Sequence, residues 1–490
     1  MNLTITRMVL VVTLLTLIVS PVRLFAETAK FISLDELKPG MKGKALSVLR
    51  GTEPESFGVE LQGIVDGPVA GSRYMLLKLR DESLRMGSGF SGSPVYFDGR
   101  LAGAISHMEQ NLASQMVMAV PIGSMLEDGA KGASSISGQS VAIKELLPGS
   151  MIAITQVRGD FWMGSSGTVT YVDNGLILAF GHENLFSGDN VQLPIHRATV
   201  HGVIPRMDMS HKESSPLEEI GSVIWDGKSA LVGRLGSKTP MAQLTVDYKG
   251  TTGAGRHFNL EMINHNKMFP GIISRIVRSV LYDHLPNSPT GSDIDITLKI
   301  NLNGLDKPVI INQRFSAELL KADTSSTNPL QMLLSGLLLP ITDKMVISSL
   351  SMSLIELAET KTARIAETSF TRTKASAGDT VRLLVRLNGP YGEARNISVP
   401  VMIPADFSSV KFTVSVASGR TVRPAEVSPG SVADIAVWLA AVPRSDELVV
   451  LAPGSVTDSD YPEARLKRTI ARTPWNVEGS GEASIAVVGE

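Results

Sequence analysis

The chain reads as mainly β, and three observations predict that class. Short runs of β-branched and aliphatic residues recur along its length, each bounded by Gly, Pro, Asn or Asp. Two of the breaks, Asp98-Gly99 in "YFDGR" and Asp173-Asn174-Gly175 in "VDNGL", have the composition of tight hairpin turns. Helical periodicity is rare by comparison. It is clearest in "FPGIISRIVRSVLYDHL" (269–285), where Ile272, Ile273, Ile276, Val277 and Val280 share one side.

In chain order, residues 1–26 come first. Arg7 precedes the apolar run "MVLVVTLLTLIVS", Pro21 breaks it, and "LFA" offers a small residue before Glu27. This is the layout of an export signal, and the run falls short of the roughly 20 residues of a membrane span. Arg23 also fits an uncleaved N-terminal anchor; either way the bulk of the chain is expected in the periplasm or secreted. Residues 27–135 hold the strand-like runs "GKALSVLRG", "FGVELQGIV", "YMLLKLRD", "SPVYFDGRLAGAISH" and "QMVMAVPI", closed by a helical turn in "PIGSMLEDG". The small, polar stretch 130–140 reads as a linker. A second β-rich unit is expected over 141–312 and contains the 269–285 helix. Residues 313–344 form a helical bridge, with "NPLQMLLSGLLLPI" as a buried helix. Strands spaced as in a small sandwich fill 345–463, including "SVADIAVWLAAVP" read as a strand, and a polar, loosely held tail occupies 464–490.

Composition narrows the function. At 490 residues, 43% hydrophobic and 19% charged, the chain can bury several cores, and two to four domains are expected. A formal net charge of −2 without a basic run argues against a nucleic-acid partner. With no cysteine, disulfides, Cys-ligated zinc and a cysteine nucleophile are excluded.

The loop "GSGFSGSP" concentrates Gly87, Gly89 and Gly92 around Ser91. Ordering glycine is entropically costly, so such a loop requires unusual dihedrals or a close approach to its backbone. One use is catalytic: the N–H groups of Gly89 and Ser91 could converge on one oxyanion while Ser91 attacks. The plain alternative is a tight turn between strands. A base is then needed. His182, in "LILAFGHEN", sits just past an apolar strand, and His107, ending the hairpin after Ser91, is the fallback. Asp81, in "KLRDESL", is the nearest upstream acid; a solvated strand-end charge is the plain reading. His196, His201 and His211 fit no metal-ligand spacing and read as surface or packing residues. No cofactor and no metal is called for.

"GFSGSPVYFDGRLAGAISH" resembles the nucleophile segment of the SpoIVB-type serine peptidases, and "SSGTVTYVDNGLILAFGHEN" resembles their histidine segment. "LDELKPGMKGKALSVLRGTEPESFGVELQGIV" is similar to the opening of exported bacterial proteins that carry this domain. The resemblance spans about 31–310. It implies a chymotrypsin-like double β-barrel, here with reordered Ser and His segments and followed by a C-terminal β-sandwich. It further implies Ser91 as nucleophile, His182 as general base, Asp81 by a loose match as the acid, and Gly89 and Ser91 N–H as oxyanion hole. The implied substrate is a protein or peptide outside the cytoplasm, including the chain itself, near membrane or envelope proteins. Two departures stand out: Ser91 precedes His182, and Phe90 replaces the family's methionine. The alternative is an envelope binding or scaffold protein that keeps the fold without the chemistry; an adhesin-like surface protein is a third reading from β-rich composition alone.

Overall fold

A computed structural model describes residues 30–67, 71–81, 83–108, 115–134, 146–184, 191–206, 209–285, 291–322, 328–338, 346–359, 361–421, 431–454 and 466–488. The expected export signal at 1–26 lies outside these residues. The chain divides into two compact units, Met1–Thr155 with Gly164–Thr239, and Gln156–Met163 with Pro240–Glu490.

Through Thr239 the elements are β1 (Lys42–Ser47), β2 (Glu55–Asp66), β3 (Arg73–Leu79), β4 (Gly87–Ser88), β5 (Pro94–Phe97), β6 (Arg100–Met108), β7 (Met116–Pro121), α1 (Ile122–Ser134), β8 (Met151–Gly159), β9 (Met163–Asp173), β10 (Leu176–Ala179), β11 (Leu193–Ile204), β12 (Ser210–Asp226) and β13 (Leu231–Leu235), all in the first unit except residues 156–159 of β8 and Met163 of β9. The strands β1-β2-β3-β7-β6-β5 close into a barrel. Alternation along β2 sends Phe57, Val59 and Leu61 inward, where they meet Met75, Leu77, Val95, Phe97 and Ile105. The hairpin turns are as expected. Asp98 and Gly99 both take positive φ between paired Phe97 and Arg100, and Asn174 and Gly175 do the same between Asp173 and Leu176.

A second set of strands pairs in the order β11-β12-β13-β10-β9-β8, and β11 also pairs with β8. A shared apolar layer joins the two sets: Tyr74, Leu101, Ala104 and Val120 from the first meet Leu176, Leu178, Ile224 and Val232 from the second, with Ile122 and Met125 of α1 between them. Asp128 of α1, nearly fully buried, accepts hydrogen bonds from the N–H of Ser229 (2.7 Å) and Ala230 (3.2 Å) and so fixes the helix to the turn before β13. α1 therefore extends into what composition suggested was a linker.

The second unit holds a sheet in which residues 157–159 pair with Gly255–Ile263, followed by Met241–Lys249, Ile347–Leu357, Asp293–Leu302 and Val309–Ser316. Helix α2 (Phe269–Tyr282) buries the expected isoleucine and valine side, and Pro329–Leu338 is helical as read. A four-stranded and a five-stranded sheet enclose one further core around Leu383, Val385, Phe412, Val414, Leu448 and Trp475. Four expectations differ here. Domain boundaries shift because strand-like runs do not say which sheet they join: the stretch 141–312, expected as one unit, is divided at Thr239, and 347–357, expected in the sandwich, pairs in parallel with Met241–Lys249. Residues Val309–Ser316 are strand, not the start of a helical bridge. Residues Val432–Ala440 are helix rather than strand, started by a capping arrangement in which Ser431 N–H and Oγ donate to Asp434 and Asp434 N–H donates back to Ser431 Oγ. The tail is not loose: Leu466–Arg472 and Ser480–Val487 pair along Glu447–Pro453 and Lys411–Ser418.

Candidate functional site

Ser91 lies in a loop that two neighbouring strands clamp. β4 pairs in parallel with β12 (Gly87 beside Ser210, Ser88 beside His211), and a Cβ on Gly87 would overlap the Ser210 carbonyl. Gly92 has φ +92°, and a Cβ there would overlap both the Thr168 carbonyl oxygen and the backbone nitrogen of Phe180. Close approach is thus the physical reason for these two glycines. Thr168 N–H donates to Ser91 O (2.8 Å), Thr170 Oγ1 to Gly92 O (2.7 Å), and Gly92 N–H to Ile105 O (2.7 Å). The serine loop therefore docks onto β9 and onto the chain just before His182.

Beneath the loop is a buried hydroxyl chain. Lys212 Nζ donates to Ser47 Oγ (2.6 Å), and Ser47 Oγ lies 3.0 Å from Ser93 Oγ and 3.3 Å from Thr168 Oγ1. Ser93 Oγ donates to the Phe90 carbonyl (2.6 Å), and Thr168 Oγ1 to that of Gly89 (2.9 Å). Ser47 is fully buried and Lys212 is 6% exposed, with its ammonium nitrogen 4.2 Å from the Phe90 ring centroid. Burial pushes the Lys212 amine down to about 7.

Around His182 the side chains are more exposed. Its ring centroid lies 5.8 Å from that of His107, whose Nδ1 is 2.7 Å from Ser106 Oγ. Ser106 Oγ also donates to Gly181 O (2.6 Å), so its single proton is committed and His107 Nδ1 is the donor between the two. His182 Nδ1 faces the Glu183 carbonyl at 2.5 Å. A carbonyl only accepts, so Nδ1 carries the proton, and Nε2 has no hydrogen-bond partner among the described residues. Burial first, and the neighbouring His182 second, hold His107 below the ordinary imidazole range. Tyr74 packs edge-on to His107, and burial raises its phenol. Buried Asp226 accepts from Asn184 N–H (2.8 Å) and anchors the chain beyond His182.

The structure thus brings the Ser91 loop, His182 and the fallback His107 into one region of the first unit. Ser91 is 9% exposed, and among the described residues neither its hydroxyl nor its N–H makes a hydrogen bond. Asp81 is not brought to either histidine. It is exposed, accepts from Ser83 N–H (2.9 Å) and Oγ (2.7 Å), and those bonds hold its carboxyl below the usual range. His196, His201 and His211 meet Leu217 O, Ser215 Oγ and Glu213, residues of β12. Sequence reading missed Lys212, Ser47 and Thr168. The stretch "SHKESS" is polar throughout, and nothing in it marks a lysine as buried. Comparison of the chain with protein-family models, with curated proteins and with solved structures finds no match.

Proposed function

We propose that the chain is an exported serine endopeptidase acting on a protein or peptide outside the cytoplasm, with Ser91 as nucleophile and His182 as general base. The observation that carries the reading is the docking of the serine loop, through Gly92, onto Thr168 and Phe180, two residues before a histidine whose Nε2 has no hydrogen-bond partner among the described residues. Ser91 Oγ attacks the scissile carbonyl as His182 Nε2 takes its proton. The N–H groups of Gly89 and Ser91 receive the oxyanion, and the leaving amine takes the proton back from His182. Water then releases the acyl group by the reverse roles. In this reading the two strand sets of the first unit are the paired barrels of a chymotrypsin-like peptidase with reordered segments, and the two C-terminal sheets are an added β-sandwich. The Glu183 carbonyl orients the His182 ring, so Asp81 is not required.

A serine-directed fluorophosphonate probe tests this. Labelling of wild type that disappears in Ser91→Ala and His182→Ala, and persists in His107→Ala, is expected. Loss in His107→Ala with retention in His182→Ala transfers the base role to His107. One observation favours the scaffold reading instead: Ser91 Oγ makes no hydrogen bond to an imidazole among the described residues. Folded wild-type protein that never labels would select it.

A further inference from the structure

We infer that Lys212 is a positioning residue for the Ser91 loop, acting through Ser47 and Ser93 to set the direction of the Ser91 backbone N–H. This rests on the peptidase reading, in which that N–H is an oxyanion donor, and adds to it the buried group that holds the donor in place.

The geometry follows from bond counting. The Ser93 hydroxyl has one proton and gives it to the Phe90 carbonyl, which also receives Ser93 N–H at 3.0 Å. Ser47 Oγ accepts a hydrogen bond from Lys212 and so turns its own hydrogen toward Ser93 or Thr168. Every donor in the chain then points from Lys212 toward the carbonyls of Phe90 and Gly89. In a trans peptide the C=O and the following N–H point in opposite directions. Tying the Phe90 carbonyl inward therefore turns the Ser91 N–H outward, where no described residue accepts it. The aliphatic stem of Lys212 packs against Gly89, and its nitrogen lies over the Phe90 ring. Ser47 is too buried to be a nucleophile itself, which leaves support as its role.

The groups facing Lys212 are Ser47 of β1, Met151 of β8, and Gly89 and Phe90 of the loop, none of them charged. On its own strand, His211 and Glu213 pair with each other. The amine's titration, near 7 because of burial, is therefore expected to show in the reactivity of the loop.

The test uses the full chain with Lys212→Met, Lys212→Arg, Ser47→Ala and Ser93→Ala. Hydrogen exchange of the peptide covering 86–97 is followed by mass spectrometry, and fluorophosphonate labelling is followed across pH 5–9. Expected results are at least tenfold faster loop exchange and tenfold slower labelling in Lys212→Met and Ser47→Ala. The ratio of wild-type to Lys212→Met labelling changes across pH 7, where the wild-type amine titrates, while the inflection due to His182 is common to both, and thermal midpoints do not fall in proportion. Loop exchange within twofold of wild type in both variants overturns the proposal. If Lys212→Met does not fold, Ser47→Ala and Ser93→Ala decide it, because they break the chain with the lysine in place. If wild type never labels, the peptidase reading fails by itself, and the exchange data still decide whether Lys212 sets the loop.

Discussion

The two sides of the candidate site are built from different material. On the serine side, a buried cluster of three hydroxyls and one amine lies under the loop, and two of the hydroxyls, those of Ser93 and Thr168, donate to loop carbonyls. On the histidine side, two half-buried imidazoles, a phenol and the exposed Glu183 share a polar region, with the Glu183 carbonyl holding the His182 ring and the Ser106 hydroxyl holding that of His107. The first arrangement suits a group that must not move, since a buried hydroxyl chain is costly to leave half-satisfied. The second suits one that must exchange protons with its surroundings. The contrast teaches where stability has been given up. The serine side carries a lysine that burial strips of most of its tendency to be charged.

Replacing that lysine should therefore have the largest thermodynamic effect. Its folded pKa is about 7 and its reference value is 10.5. Between these values the unfolded chain binds more protons than the folded one, so the lysine's cost to folding falls as pH rises through that window. Below pH 7 the cost is at its full value, bounded by about 5 kcal/mol. Lys212→Met should accordingly be more stable than wild type in urea at pH 6, with the advantage fading by pH 10. A Lys212→Met protein less stable than wild type at pH 6 would mean that the amine helps hold the fold together, and the contrast between the two sides would dissolve.

The junction between the sides comes next. Gly92→Ala places a methyl group on two backbone atoms, the Thr168 oxygen and the Phe180 nitrogen, at a residue already at positive φ. Backbone cannot yield as a side chain can. A loss of about 4 kcal/mol or more is expected in denaturant unfolding, with labelling abolished. A loss near 1 kcal/mol would show that the loop does not dock on β9 as described.

On the histidine side the effect should be smaller. Asp226→Ala removes the acceptor of Asn184 N–H, for an expected loss of about 2–3 kcal/mol and faster exchange at residues 180–184. Labelling should fall while the exchange of peptide 86–97 stays at wild-type rates. If both regions loosen together, the two sides are one cooperative unit and not two.

How much of this could be read beforehand depends on whether the cause was local. Strand runs, the Asp98-Gly99 and Asn174-Gly175 turns and α2 are written in short windows of sequence, and all are present. Ser91 stands out because glycines crowd it and His182 because it sits just past an apolar strand, and the structure assigns the crowding around Ser91 to two particular strands. What was not legible is non-local. Lys212 is buried because β1 and β8 converge on its strand from more than sixty residues away in the chain. Ile347–Leu357 joins the earlier sheet by parallel pairing with Met241–Lys249, and no spacing rule announces that. Residues 432–440 misled because "SVADIAVWLAAV" is apolar enough for a buried strand. The Ser431–Asp434 cap, a local signal that was present, decides for helix.

The smallest effect sharpens the meaning of the Gly92→Ala loss. Gly99 has φ +75°, in the same left-handed region as Gly92, yet a Cβ there meets nothing within 4 Å. Gly99→Ala therefore isolates the backbone cost of positive φ, about 1 kcal/mol, without any close approach. Subtracting it from the Gly92→Ala loss leaves the energy of contact between the serine loop and β9. Equal losses at the two positions would assign both glycines to turn geometry alone. A gap of about 3 kcal/mol would show that the serine loop is glycine-rich because another strand presses against it, and urea unfolding of the two single variants, analysed at the same slope, is sufficient to tell.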